Sequence, residues 1–449
     1  MACHCDDYSK AQAGRGLRGI EPGMPTPAGT GLNRRAFLAR SSGLALSVFG
    51  GTMLSRLAFE EGIAAAAGSS SPVLVSIFLS GGLDSLSVLA PIGDPRYATL
   101  RPGLKLSASG NPDDVFTEDD RLHWHPSAAP LRDLHRAGKV SVMPAVGYAD
   151  PNQSHFTSRH YWEVGEVNPF GRIGWLGRYL DRHGVDGNPL QGLSLDWNLA
   201  PALAAADKPV AAVASPEYFS LDARDVWDSG LRSRLVEGLR AQGGLATDDP
   251  ELRTARRAAA QTVGLRGQLA PLQGTDAPWQ SAIAYPSENG FARRLAVLAE
   301  MLAIGLPLKV VALDANGGYD THDDQNGSLP GDLAEFSQSL AAFQADLEAR
   351  GLADRVLINV WSEFGRRPEE NGSGTDHGAA GLALVIGSQA KGQMVGGFPG
   401  LATLDEDDNL RHTTDFRAVY CSLLEQWLGV DADGIVPSAG SFARPVLVR

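Results

Sequence analysis

The sequence predicts an α/β fold with a mainly parallel central sheet, and three observations predict it. Five short apolar runs rich in β-branched residues read as strands buried on both faces: "VLVSIFL" (73–79), "VSVMPAV" (140–146), "KVVALD" (309–314), "RVLINVW" (355–361) and "LALVIG" (382–387). Between the third and fourth, Leu333, Phe336, Leu340, Phe343 and Leu347 recur at helical spacing, so strand, helix and strand follow in order. Four of the runs are each followed by a polar cluster, the arrangement expected where a ligand sits outside the carboxyl ends of an open sheet.

The chain has 449 residues, 43% hydrophobic and 20% charged, which excludes the disordered and membrane-embedded classes. A net charge of −13 argues against nucleic acid or an anionic membrane surface as partner.

Residues 1–67 read as a twin-arginine signal peptide. Arg34 and Arg35 are followed by Phe37 and Leu38, then by a modest apolar run from Leu44 to Leu54, and "AAAAGS" (64–69) offers small residues for cleavage. Gly50, Gly51 and Arg56 interrupt the run, which is too short to span a bilayer. The expectation is export through the twin-arginine translocase to a periplasmic or secreted location, with no membrane span in the mature form. That pathway carries folded proteins, often with a metal or cofactor already inserted. Cleavage would remove Cys3 and Cys5 and leave Cys421 without an internal partner, so no disulfide is expected.

Residues 68–449 read as one domain. Its stretch 200–305 is rich in Ala, Arg and Leu, with helical patterns at 229–241, 250–269 and 290–304, and is expected to be a mainly helical insertion packed against the sheet. The helix at 332–350 is expected to start at an Asp332 cap and to end at Gly351. "DFRAVYCSLLEQWLG" (415–429) reads as a closing amphipathic helix in which Cys421 packs as a small hydrophobe.

The chemistry gathers after the strands. "SGGLDSLS" carries Asp84, and "GYADPNQSHFTSRHYWE" carries Ser154, His155 and Arg159. "GGYDTHDDQNGS" carries Asp320 and His322, and "SEFGRRPEENGSGTDHGAAG" carries Glu363, Asp376 and His377. Three aspartates within residues 317–328 repel one another unless they are solvated or a cation sits among them. Carboxylates and imidazoles with no thiolate suit a divalent metal: zinc first, with manganese, magnesium or calcium compatible. An EF-hand does not fit, because the sixth position counted from Asp320 is Gln325 and the twelfth is Gly331. Ser154 precedes a helical segment, where a serine is either an N-cap or a nucleophile facing an anion held at the helix N-terminus.

Several motifs together resemble an exported family, domain of unknown function 1501: the leader, "LSGGLDSLSVLAP", "NQSHFTSRHYWEVG", "GGYDTHDDQ", "WSEFGRRPEENGSGTDHG" and "TTDFRAVYCSLLEQWLG". That family is placed in the alkaline phosphatase and sulfatase superfamily, which implies an α/β/α sandwich with a metal site at the strand ends. Carried over by position, the resemblance implies metal ligands at Asp84, Asp320, His322, Asp376 and His377. Glu363 would be a further ligand or a group behind the ligands, and His412 would be a last histidine. It also places Ser154 at the nucleophile position, with His155 orienting substrate or donating to a leaving group; Arg159, five positions after Ser154, is expected to pair with a substrate oxyanion. The formylglycine motif of sulfatases is missing around both Ser154 and Cys421. The function implied is an exported metal-dependent hydrolase of a phosphate or sulfate ester, on a small molecule or a glycan. The alternatives are a non-catalytic metal-stabilised envelope protein and a phosphoryl or sulfuryl transferase.

Overall fold

The computed structural model describes residues 71–221, 226–273 and 281–449, together with Pro25, Ala28 and the pair Val48–Phe49. The twin-arginine motif and the cleavage region lie outside the described residues. Among the described residues no helix is long and apolar enough to cross a membrane.

The expected strands form at β1 (Val73–Phe78), β2 (Val140–Gly147), β5 (Val310–Asp314), β6 (Val356–Trp361) and β9 (Gly381–Ile386). Short strands β3 (Gly192–Ser194), β4 (Val210–Ala212) and β10 (Thr414–Asp415) extend the sheet. A hairpin of β7 (Arg366–Glu370) and β8 (Thr375–His377) stands apart from it. The sheet order is β4–β3–β5–β1–β6–β9–β2–β10, with Val48–Phe49 antiparallel on the outer side of β4. From β4 to β10 all neighbours are parallel except those of β9, which runs antiparallel to both β6 and β2.

Alternate residues of the strands enter two separate cores, which is why the runs are continuously apolar. Val73, Val75 and Ile77 of β1 face one core; Leu74 and Phe78 face the other. The first core is closed by helices α1 (Ala129–Arg136), α5 (Pro250–Leu269), α6 (Gly290–Ala303) and α7 (Gln325–Ala349). The second is closed by α2 (His155–Val164), α3 (Trp175–His183) and α8 (Phe416–Ser422). The fold is an α/β/α sandwich. Helix α4 (Ser229–Gly243) buries none of its residues and lies outside both cores.

The stretch from residue 200 is mainly helical and also contributes β4 to the sheet. One expectation is corrected. Helix α7 starts at Gln325, not after Asp332; Asp332 instead accepts a hydrogen bond from the Gly318 N–H at 3.0 Å. The early start is pinned by tertiary contacts of Gln325, whose buried amide bonds Asp84 and accepts from Thr321 and Thr375. At its other end the helix closes as expected, with Gly351 at φ 68°. Trp162 and Trp175 are packed in the second core, as is Cys421, whose thiol burial pushes up to about 11.

Candidate metal centre

The centre is built on four loops at the carboxyl edge of the sheet. After β1 the chain turns through Gly81 (φ 118°) and Gly82 (φ 74°). A Cβ on Gly81 would lie 2.3 Å from the Asp320 backbone nitrogen, and one on Gly82 would lie 2.4 Å from the Phe364 ring. Only glycine gives both the left-handed backbone and the close approach. The turn presents two N–H groups to Glu363: Gly81 donates to Oε1 at 3.0 Å and Gly82 to Oε2 at 3.1 Å. Glu363 is fully buried. Burial would raise its carboxyl, but the hydrogen bond and charge of His155 outweigh it and hold the group ionised.

Asp320 is the hub. His377 Nε2 lies 3.3 Å and His322 Nε2 3.2 Å from its Oδ1, and His155 Nε2 lies 3.4 Å from Oδ2. The fully buried Arg366 also bonds Oδ1, while its remaining N–H groups go to the carbonyls of Gly82 and Thr375. Burial opposes ionisation of Asp320. Its contacts with His155, His377 and Arg366 override it and hold the carboxyl far below its ordinary range.

Each of the three imidazoles is fixed from behind through Nδ1. His155 Nδ1 is 2.7 Å from Glu363 Oε1, His377 Nδ1 is 2.8 Å from the Gln153 carbonyl, and His322 Nδ1 is 3.3 Å from Asp376 Oδ1. All three partners are acceptors, so each neutral ring carries its proton on Nδ1 and turns the Nε2 lone pair towards Asp320. The Nε2 atoms of His322 and His377 are 2.9 Å apart. Such convergence needs either extra protons or a cation. Burial, reinforced by the Arg366 charge, lowers the pKa of His322 and so disfavours the proton.

The donor chemistry therefore fits a divalent metal. Ligand atoms of His155, Asp320 and His377 all lie within 4.8 Å of one another. Three imidazole nitrogens and one carboxylate suit zinc, and carboxylate or carbonyl partners behind each imidazole are the usual means of orienting such ligands.

The other expected residues are placed differently. Asp84 is buried, and its oxygens are taken by Arg101 (Nη2 to Oδ1, 2.9 Å), Ser87 (2.7 Å), Gln325 (2.6 Å) and the Leu86 N–H (3.2 Å). Burial opposes its charge, yet the Arg101 guanidinium keeps its carboxyl below the usual range. It is the hub of a separate ion pair with Arg101, and its partner Gln325 accepts from Thr321 and Thr375. Glu363 and Asp376 stand behind imidazoles. His412 is exposed and outside the group. Arg159 is buried along α2, with Nε 2.8 Å from Glu163 and a terminal nitrogen 3.5 Å from Asp314, its guanidinium stacked over Phe78. Ser154 occupies the N-cap position of α2 without a side-chain cap bond, so its hydroxyl is not spent on the helix. Its neighbours Gln153 and His155 both touch the centre. Sequence reasoning missed Arg366, Gln325 and the glycine pair. "SGG" was the visible signal for the last of these, whereas nothing in "GRRPEE" separates Arg366 from Arg367.

The chain is similar to several solved structures, each with low sequence identity. One is a protein in the alkaline phosphatase superfamily from Vibrio parahaemolyticus (10% identity, 88% of this chain and 79% of that one, TM-score 0.35). Another is the C-terminal periplasmic domain of EptC from Escherichia coli (9%, 82% and 87%, TM-score 0.34). A third is the lipoteichoic acid synthase LtaP from Listeria monocytogenes (10%, 86% and 77%, TM-score 0.32). No curated protein matches the sequence. Residues 172–426, more than half of the chain, match the family described as "Protein of unknown function (DUF1501)", and the protein belongs to that family.

Proposed function

We propose that the protein is an exported metal-dependent hydrolase of a phosphate or sulfate ester. The observation that carries this reading is the convergence of the His155, His322 and His377 Nε2 atoms on the Asp320 carboxylate, each ring held from behind by an acceptor. His155, Asp320, His322 and His377 would hold the ion. Bound there, it would act as a Lewis acid on an ester oxygen and ease deprotonation of a nearby hydroxyl.

The chain's own residues supply the rest. Glu363, fixed by Gly81 and Gly82, locks the tautomer of His155. Arg366 keeps Asp320 ionised and oriented. Ser154, at the start of a helix whose dipole favours an anion, is the nucleophile of this reading. Its Oγ would form a bond to phosphorus or sulfur as the ester oxygen leaves with a proton, and water would then release the acid and restore the hydroxyl. Export is supported by the Arg34–Arg35 leader.

The test is turnover of a panel of aryl phosphate, phosphodiester and sulfate esters by the metal-loaded protein, with Ser154→Ala alongside. The expected result is hydrolysis of one class, lost in Ser154→Ala while metal content is unchanged. A loaded protein that turns over none of them is a binding protein, and the reading fails.

A further inference from the structure

A cleft of about 500 Å³ opens at the carboxyl edge of the sheet, outside the ends of β3, β4 and β5 and against α6. That volume lies within the ~300–1,000 Å³ typical of small-molecule sites. Asp314, the last residue of β5, is part of its lining, with Asp196, Arg294 and Asn316.

Asp314 stands between this cleft and the metal centre. It lies opposite Phe78 of β1, and Phe78 lies opposite Trp361 of β6. The row from β5 to β6 is two strand spacings wide, roughly 9.6 Å. Glu363, which holds His155, follows Trp361 by two positions. Alternation along β5 turns Asp314 to the same side as Val310 and Ala312, towards the second core and α2. Arg159, one turn along α2 from His155, fills the gap. Its guanidinium lies 4.1 Å from the centre of the Phe78 ring and 3.5 Å from Asp314 Oδ2. An ester held at the centre with its leaving group over β5 therefore passes this carboxyl.

The carboxyl is open to such a ligand. The Asp314 side chain is 39% exposed, and among the described residues no hydrogen bond is made to it. Its cationic neighbours are shared: Arg159 gives its Nε to Glu163 at 2.8 Å, and Arg294 takes Asp196 Oδ2 (3.1 Å) and the carbonyl, not the carboxyl, of Asp314 (2.6 Å). Burial raises the Asp314 pKa. The charges of Arg159 and Arg294 oppose this, those of Asp196 and Glu363 reinforce it, and the group ends above the ordinary aspartate range.

We propose that Asp314 is the general acid that protonates the departing ester oxygen, and that the alcohol so released occupies the cleft. The inference rests on the hydrolase reading and gives it a substrate class: a phosphate or sulfate ester of an aliphatic alcohol, whose oxygen leaves poorly without a proton. In the first step a bond forms from Ser154 Oγ to phosphorus or sulfur and the bond to the ester oxygen breaks. Asp314 gives that oxygen its proton, while the serine proton passes to solvent. In the second step water attacks and the bond to Oγ breaks. The Asp314 carboxylate takes a proton from the attacking water, and the serine oxygen regains one from solvent.

The dependence on leaving group tests it, because a merely structural residue would affect good and poor leaving groups alike. The metal-loaded full chain is assayed with the 4-nitrophenyl and the n-butyl ester of phosphate and of sulfate. Wild type should turn over both esters of one acid. Asp314→Asn should lose roughly 10²–10⁴-fold on the butyl ester, at least about tenfold more than on the nitrophenyl ester, which needs no proton to leave. Asp314→Glu should recover part of the butyl turnover, which keeps the test valid should the amide variant fold poorly. Asp196→Asn, in the same cleft, should change both esters in proportion. Equal losses on the two esters in both Asp314 variants, or wild-type turnover of the nitrophenyl ester alone, would overturn this inference and leave the hydrolase reading standing. No turnover of any ester by the loaded wild type would end both.

Discussion

His322 and His377 face one another through their Nε2 atoms at 2.9 Å, each ring anchored on its far side by an acceptor. Two neutral imidazoles held this way turn lone pair against lone pair. The carboxylates of residues 317–328 divide accordingly: Asp320 belongs to this cluster, while Asp323 and Asp324 are solvated.

Metal should therefore stabilise the protein, and Asp320→Asn should abolish the effect. At free metal one hundredfold above Kd, the folded state gains about 2.7 kcal/mol. The variant also leaves Arg366 without its carboxylate, so its baseline will fall with or without metal. The diagnostic quantity is the shift in melting temperature between metal-loaded and chelated samples. It should be clear in wild type and in Asp323→Asn, and close to zero in Asp320→Asn, together with loss of bound metal by elemental analysis. Full metal content in Asp320→Asn would remove the centre.

Asp84 should behave in the opposite way. It and Arg101 form a buried pair, and removing one partner strands the other charge, at a cost of about 3–5 kcal/mol. Asp84→Asn should lose stability to that extent whether metal is present or chelated, and should retain its metal. The double variant with Arg101→Met should recover part of the loss. If Asp84→Asn instead loses metal and matches chelated wild type, Asp84 is a ligand after all.

The sequence made most of the sheet visible because its strands are buried on both faces and therefore continuously apolar. β3 and β4 escaped because three residues such as "GLS" or "VAA" are too short to carry a period. The reversed direction of β9 escaped because side-chain pattern does not encode strand polarity. Helix α7 was placed late because "QNGSLPG" holds two glycines and a proline, and its helical start depends on the contacts of Gln325 with Asp84, Thr321 and Thr375. At the site, residue type and position after a strand picked out Asp320, His322 and His377. The same signal could not distinguish Asp84, because its partner Arg101 lies seventeen residues on and shows no pattern. Glu363 and Asp376 were legible as acidic neighbours, but their role behind the imidazoles depends on directions that only the folded loops set.

His160 gives a pH prediction that is independent of the metal. It is completely buried on α2; its Nε2 donates to the Asn168 carbonyl at 3.1 Å, and its Nδ1 has no hydrogen-bond partner. Burial, helped by the Arg172 charge and only partly offset by that hydrogen bond, pushes its pKa down to about 4 from the ordinary 6.5. Between these values the unfolded chain binds the proton and the folded protein does not, so unfolding stability rises with pH across the window. The contribution is complete above pH ~6.5 and is lost as the pH falls towards ~4, and it amounts to roughly 3 kcal/mol. His160→Gln keeps a donor for Asn168 but cannot titrate. Urea unfolding of chelated wild type and variant at pH 7 and pH 4.5 isolates the difference, since every other titrating group is common to both. The variant should lose less stability on acidification by most of that amount. Parallel losses in the two proteins would mean that His160 is already protonated in the folded state, with water or a rearranged Asn168 loop satisfying its second nitrogen.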